Sequence, residues 1–440
     1  MAEEIARTAS ASSSVLRAVL DADRVAALKR IYQFLKDGKD RILAANRADM
    51  AAAEKANVAG PLIKRLDLSK GDKFDTMIQG VLDVAALPDP IGKVQFANKL
   101  DDGLDLYRIT CPIGVLLVIF ESRPEVIANI TALAIKSANA VILKGGKESF
   151  HSFAAISELV REALADTKIP SGAVQLIESR EDVSALLSQD QYIDLVIPRG
   201  SNELVRSIKN GTKIPVLGHA DGLCSVYVNE DADAEMAAKI VVDSKTNYVA
   251  ACNAMESLLI QRSALSTLLP AIAKALTEAG VTLRATDEVL AALVAAGVES
   301  NGQALIVPAA DKDFETEFLS MEVAVTAVAD VNEAVKHINT HSSKHTDSIV
   351  TPSKAVAETF MSGVDSAGVF WNASTRFSDG FRYGFGTEVG ISTSKIHARG
   401  PVGLEGLTCY QYRLLGHGQI AGDYVGAGGS KEFKHQKIEL

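Results

Sequence analysis

The sequence predicts an α/β protein built on parallel sheet, and three observations carry that prediction. Short apolar runs alternate with helical runs between Val115 and Gly218. The same rhythm resumes at Cys224 and continues to Ser374. At 440 residues the chain is too long for one ordinary core, so the two stretches read as separate domains.

Residues 14–57 read as helix, with Val15, Leu16, Val19, Val25, Leu28, Ile31 and Leu35 at spacings of three and four. More helix is predicted through "KFDTMIQGVLDVAAL", stopped by Pro88 and Pro90. "LDLYRITCPIGVLLVIF" is strand-like, its first half suited to a hairpin arm. "EVIANITALAIKSAN" then reads as helix, "AVILK" as strand, "HSFAAISELVREALADT" as helix and "AVQLI" as strand. "REDVSALLSQ" and "NELVRSIKNGT" read as helices, "IDLVIP" and "IPVLG" as strands. This stretch is a nucleotide-binding type of domain. In the second stretch, Asp231 or Asp233 is placed to cap a helix. The segment after Ser374 is glycine-rich loop followed by a strand. No period of 20–50 residues repeats, which excludes a solenoid.

Hydrophobic content of 47% with 23% charged residues is the balance of a soluble globular chain. A net charge of −10 argues against general nucleic-acid binding, which needs a basic footprint. Cys111, Cys224, Cys252 and Cys409 are far apart and form no CxxC pair, so neither a disulfide framework nor a structural zinc site is expected. The start "MAEEIARTAS" resembles neither a secretory nor a transit signal, and no apolar run reaches membrane-helix length. A cytoplasmic location and no membrane contact are the expectations.

The stretch "SKTNYVAACNAMESLL" sets Cys252 among small residues, ahead of a run that reads as helix. By residue type alone Cys252 is either buried packing or a nucleophile. Other runs decide between them: "VIFESRPEV", "KGGKES", "VIPRGSNELV", "GHADGLCSVYV", "EFLSMEVAV", "HTDSIVT", "VFWNASTRFSDGFRYGFGTEVGIST" and "KIHARGPVGLEGLT". In this order they resemble the aldehyde dehydrogenase superfamily and, within it, the gamma-glutamyl phosphate reductases. The chain reads as the stand-alone reductase, without the kinase domain of bifunctional relatives.

The resemblance implies an aldehyde-dehydrogenase-like α/β fold in three parts. An NADP-binding domain takes residues 1–100 and 119–224, and a catalytic domain takes 225–388. Residues 101–118 and 389–440 form a β oligomerisation flap and C-terminal segment, implying a homodimer or higher assembly. The implied reaction is NADPH-dependent reduction of L-glutamyl 5-phosphate to the 5-semialdehyde through a Cys252 thioester, a step of proline biosynthesis. Glutamate 5-kinase is a candidate transient partner. Alternatives are a phosphate-independent aldehyde dehydrogenase and a non-catalytic cofactor-binding relative.

The resemblance also implies site residues. Cys252 is the nucleophile, its backbone N–H a candidate oxyanion donor. Arg123, with Ser122 as companion, suits an acyl phosphate, since a guanidinium forms parallel bonds to phosphate. Lys144 falls at the adenosine-ribose lysine and Lys147 where a glutamate would select NAD, so Lys147 points to NADP. Ser201 opens a helix that suits the pyrophosphate, and Glu317 falls at the nicotinamide-ribose glutamate. Asn372, Ser374, Thr375, Arg376 and Asp379 face the glutamate end of the substrate, with Arg376 for its carboxylate and Asp379 for its amine. Where hydrolysing members carry a glutamate base, this chain reads "LGHADG", with Gly218 and His219. An enzyme that exchanges its thioester with phosphate needs no such base. His337, His341 and His345 have a ligand-like spacing, but Ser342 and Ser343 interrupt the helix. No metal is expected, and His345 is assigned to the wall of the site.

Overall fold

The computed structural model describes residues 2–56, 63, 66–121, 123–177, 180–200, 202–298, 305–426 and 428–440. The chain divides into two compact units. The first holds residues 1–217, 386–390 and 402–440, and the second holds 218–385 and 391–401.

In the first unit, β1 (Val94–Asp101) and β2 (Leu104–Pro112) form an antiparallel hairpin around Gly103, whose φ of 69° suits a residue without Cβ. The strand Thr408–Leu415 adds to the outer side of β2 and leaves Tyr410, Tyr412, Leu414 and Leu415 more than half exposed. After Gly114 the pattern changes. β3 (Val115–Phe120) is buried at every position and lies inside a parallel sheet with β4 (Ala140–Lys144), β5 (Val174–Ile177) and β6 (Leu195–Arg199), in the order β5-β4-β3-β6. Parallel strands covered on both faces need unbroken apolar sequence, which "VLLVIF" and "AVIL" supply. Leu117, Ile119, Ile142 and Val196 share a core with Ala2, Ala6 and Ala9 of the first helix.

The predicted helix over 14–57 is three helices, Ala2–Leu16, Asp21–Asp37 and Lys39–Lys55. The last break falls at Gly38, where a Cβ would lie 2.4 Å from Leu159 of the helix Phe150–Leu164. "IPVLG" forms no strand; its contact with the sheet is a single bridge, Val196 to Val216.

The second unit is a seven-stranded sheet in the order β10-β9-β11-β8-β7-β12-β13. Its strands are β7 (Cys224–Val228), β8 (Met255–Gln261), β9 (Thr282–Ala285), β10 (Ile306–Pro308), β11 (Glu322–Val328), β12 (Thr346–Val350) and β13 (Gly368–Trp371). Every ladder is parallel. Alternate side chains divide between two cores: Leu258 and Ile260 face one, Leu259 and Tyr227 the other. The run after Cys252 is therefore strand β8 and not helix. All seven of its residues are buried, and a short apolar run of that kind carries no helical period to distinguish the two. Asp233 caps the helix Ala234–Thr246 by accepting from Met236 N. Among the described residues no helix is long and apolar enough to cross a membrane.

Candidate active site

The three adjacent strands β8, β7 and β12 place their amino ends side by side, and the reactive residues sit just before them. Cys252 precedes β8, Gly222 precedes β7, and His345 immediately precedes β12. Cys252 Sγ lies 3.3 Å from His345 Nε2. The other ring nitrogen, Nδ1, is 2.9 Å from Thr346 Oγ1. His345 is 1% exposed, and burial, with His219 and Arg376 nearby, holds its pKa well below the ordinary histidine value. It is a neutral imidazole at physiological pH, and protonating Nε2 would charge a buried ring, so it is a weaker base than an exposed histidine.

The loop bearing Cys252 is shaped by its own backbone and by close neighbours. Tyr248 has φ 75°, a left-handed conformation uncommon for an aromatic residue, and its N–H donates to Thr246 O at 2.8 Å. Ala254 N closes the next turn on Ala251 O at 2.9 Å. The Cys224 thiol donates to the Cys252 carbonyl at 3.3 Å. A Cβ on Gly222 would lie 2.1 Å from that carbonyl oxygen and 2.4 Å from the Cys252 Cα. Only glycine permits this approach.

The segment 372–382 braces the same loop. Thr375 Oγ1 donates to Asn253 O at 2.7 Å, and Asn253 Nδ2 donates to Ser378 O at 2.9 Å. Ser374 Oγ accepts from Ser244 Oγ at 3.2 Å. Arg376 is buried, with Nε donating to Asn247 O at 2.5 Å. Burial lowers the pKa of its guanidinium, while attraction to Cys252 opposes that shift. The same attraction favours a thiolate at Cys252. Asn372, at φ 52°, spends both ends of its amide on the Thr351 backbone. Asp379 accepts from the N–H groups of Phe381 and Arg382. In this structure Asn372, Ser374 and Thr375 make internal bonds that shape the loop. Glu317 lies near the buried Lys245–Glu256 ion pair, whose N···O distance is 2.6 Å.

The histidine cluster differs from the one its spacing suggests. His337 and His341 lie together on the helix Val331–His341, with ring centroids 4.6 Å apart. His345 instead joins His219, at 5.2 Å between ring centroids. His219 Nδ1 faces Ile391 O at 3.2 Å. The donor atoms of His219, Cys252 and His345 lie within 4.8 Å of one another. A soft cation fits such a set, but it would occupy the nucleophile.

In the first unit, the turn after β4 borders a cavity of about 250 Å³ lined by Gly145, Gly146, Lys147, Phe150, His151, Phe153, Leu176 and Ile177. It lies at the carboxyl ends of β4 and β5, where open α/β sheets bind ligands. A Cβ on Gly145 would meet the Phe153 ring at 2.1 Å, so the glycine lets that ring form the wall. The apolar walls and the exposed Lys147 fit the nucleoside end of a phosphorylated dinucleotide. Lys144 ends β4 and reaches the Gly145 carbonyl. Arg123 lies three residues before the helix Val126–Lys136. Its neighbour Glu125 has a carboxyl pKa raised by burial, offset in part by Arg123, Lys73 and Arg199. Ser122 and Ser201 lie outside the described residues.

Sequence reasoning did not assign Gly222, the Cys224 thiol or a proton-accepting role for His345. Only the run "GHADGLCSVYV" hinted at the first two, and nothing in it shows that Gly222 touches Cys252.

Comparison with known proteins gives consistent matches. The aldehyde dehydrogenase family model matches residues 1–315. A probable gamma-glutamyl phosphate reductase of Schizosaccharomyces pombe is 57% identical, over 100% of this chain and 97% of that protein. The gamma-glutamyl phosphate reductase of Saccharomyces cerevisiae is 55% identical, over 100% of this chain and 98% of that protein. The crystal structure of gamma-glutamyl phosphate reductase from Thermotoga maritima matches with a TM-score of 0.90 at 37% identity, covering 95% of this chain and 99% of that one.

Proposed function

The chain belongs to the gamma-glutamyl phosphate reductases of the aldehyde dehydrogenase family, and from that premise we propose how its own residues carry the reaction. The enzyme reduces L-glutamyl 5-phosphate to L-glutamate 5-semialdehyde with release of phosphate, a step of proline biosynthesis. The observation that carries the mechanism is the 3.3 Å approach of Cys252 Sγ to a buried, neutral His345.

With its N–H on Nδ1, donating to Thr346 Oγ1, His345 turns the lone pair of Nε2 toward the thiol. Cys252 Sγ bonds to the acyl carbon, the carbon–oxygen bond to phosphate breaks, and the thiol proton moves to His345 Nε2. Arg123 serves the departing phosphate, and the Cys252 N–H serves the oxyanion. A nicotinamide dinucleotide, typical of the family, supplies hydride to the thioester carbon when bound. The carbon–sulfur bond then breaks, and His345 returns the proton to the Cys252 thiolate. Arg376 takes the substrate carboxylate and supports the thiolate, while Asp379 faces the amine. Asn372, Ser374 and Thr375 act mainly by shaping the loop that presents Arg376.

The dinucleotide is NADPH on this reading, held by Lys144 and Lys147 at its adenosine end, Ser201 at the pyrophosphate and Glu317 at the nicotinamide ribose. The enzyme works in the cytoplasm as a homodimer or higher assembly, built on the exposed strand Thr408–Leu415, with glutamate 5-kinase as a transient partner.

The test is NADP⁺ reduction by glutamate 5-semialdehyde, with and without inorganic phosphate. The expected result is a rate that requires phosphate, because the run "LGHADG" carries no glutamate base to activate water against the thioester. An equal rate without phosphate would replace this reading with a hydrolytic aldehyde dehydrogenase.

A further inference from the structure

We propose that Cys111 and Cys409 are a modification site: a thiol pair that a peroxide converts to a disulfide stapling the strand Thr408–Leu415 to β2. The two cysteines are directly opposite each other in the antiparallel ladder, which runs unbroken from Thr408–Pro112 to Leu415–Asp105. Their sulfur atoms are 3.5 Å apart and share a thiol hydrogen. Opposed residues in such a ladder have Cα atoms about 4.5–5.5 Å apart, inside the range of about 4.4–6.8 Å that a disulfide spans. The bond therefore requires side-chain rotation and almost no movement of the backbone.

The pair belongs to the first unit and has no part in the chemistry assigned to Cys252. On the single chain Cys111 is buried and Cys409 exposed, so the pair is open to a small oxidant wherever assembly through the strand Thr408–Leu415 leaves Cys409 uncovered. Burial, with the neighbouring Cys111, pushes the Cys409 thiol up to about 11, so Cys409 rests protonated and its oxidation is slow, speeding up as the pH rises. In the first step the Cys409 thiol loses its proton, the thiolate sulfur bonds to one peroxide oxygen, the oxygen–oxygen bond breaks, and the departing hydroxide takes a proton, giving a sulfenic acid and one water. In the second, Cys111 sulfur attacks the oxidised sulfur, the sulfur–oxygen bond breaks, and a second water leaves. Two thiols lose two hydrogens and one peroxide is reduced.

The bridge would link residues 298 positions apart. A loop of that length removes much freedom from the unfolded chain, so the oxidised protein should melt at a higher temperature. The hydrophobic face of Tyr410, Tyr412 and Leu414 would be held in place by the same bond.

The full-length enzyme is treated with hydrogen peroxide, remaining thiols are alkylated, and peptides are mapped without reduction. The expected product is a peptide pair joined through Cys111 and Cys409, with a raised melting temperature that dithiothreitol reverses. Cys409→Ser should yield neither the joined pair nor the shift. The proposal fails if Cys409 is recovered as a sulfinic acid while Cys111 is still alkylated. It also fails if the joined peptides carry Cys224 or Cys252. Both failures are read on wild-type protein, so they do not depend on the variant folding.

Discussion

A methyl group at position 222 would sit where the Cys252 backbone already is. The 2.1 Å contact to the Cys252 carbonyl is backbone against backbone, so no side-chain rotation relieves it. Gly222→Ala should lower kcat by two orders of magnitude or more while cofactor binding survives, checked by turnover beside a fluorescence titration with NADPH. Cys252→Ala should abolish turnover with little loss of stability, since it removes only one sulfur atom from a half-buried site. His345→Gln should lower kcat by about 10²–10⁴, the usual range for a lost general base, and flatten the acid limb of the pH–rate profile. His345 also carries a stability signature. Its folded pKa lies below the unfolded value of 6.5, so below that pH the unfolded chain binds the proton first. The stability it contributes is present above pH 6.5 and lost as the pH falls, and urea unfolding of wild type against His345→Gln at pH 7.5 and 5.5 should show a smaller drop in the variant. At this scale the sequence was readable where chemistry leaves a motif. Cys252 could be named because its neighbours carry a family pattern. Gly222 and the Cys224 thiol could not, because their contacts to Cys252 cross from one strand end to the next, and neither glycine nor cysteine announces such a contact in linear sequence.

Between elements, the buried pair Lys245–Glu256 ties the end of the helix Ala234–Thr246 to the start of β8, bracketing the nucleophile loop. Both side chains are at most 1% exposed, and the amino group meets the carboxylate at 2.6 Å. Glu256 Oε1 also accepts from Leu319 N at 3.4 Å, so the pair reaches the loop that carries Glu317. Burial pushes the Glu256 carboxyl up to about 7 and the Lys245 ammonium down, and their mutual attraction offsets part of each shift. Removing one partner leaves a buried group unmatched. Lys245→Met should therefore destabilise by about 3–5 kcal/mol in urea unfolding, and adding Glu256→Gln should recover much of that loss. A loss in the double variant equal to the sum of the losses in Lys245→Met and Glu256→Gln alone would mean that the pair does not couple. Element reading from sequence succeeded where a helical period was clear, as in the helix Lys73–Ala86, and where a short β-branched apolar run lay between turn residues, as in β3 and β4. It failed at "MESLLIQ", where seven buried residues carry no period, and across 14–57, where the apolar spacing runs past a break at Gly38 that lies against Leu159 of a helix distant in sequence.

Over the whole molecule, the lysines proposed for the adenosine end and the proposed nucleophile belong to different units, Lys144 and Lys147 to the first and Cys252 to the second. Cofactor choice and thiol reactivity should then be separable by mutation, and Lys147 is the residue on which to test it. Lys147 lines the cavity beyond β4 and is exposed, so its charge can meet the 2′-phosphate of NADPH without a large desolvation cost. A glutamate there would repel that phosphate and accept from the 2′-hydroxyl of NADH. Loss of one charged hydrogen bond is worth about 1.5–3 kcal/mol, or about 10- to 150-fold in kcat/KM. Lys147→Glu should shift the NADPH-over-NADH ratio by that much, and added salt should shrink the shift because the site is open to solvent. Lys144→Ala should instead weaken both cofactors alike, since the ribose it is assigned to is common to them. In neither variant should the rate of Cys252 alkylation change when cofactor is absent, because the groups that tune the thiol, His345 and Arg376, lie in the second unit. An unaltered cofactor ratio in Lys147→Glu would remove Lys147 from the binding site. A changed alkylation rate would show that the two units do not act independently.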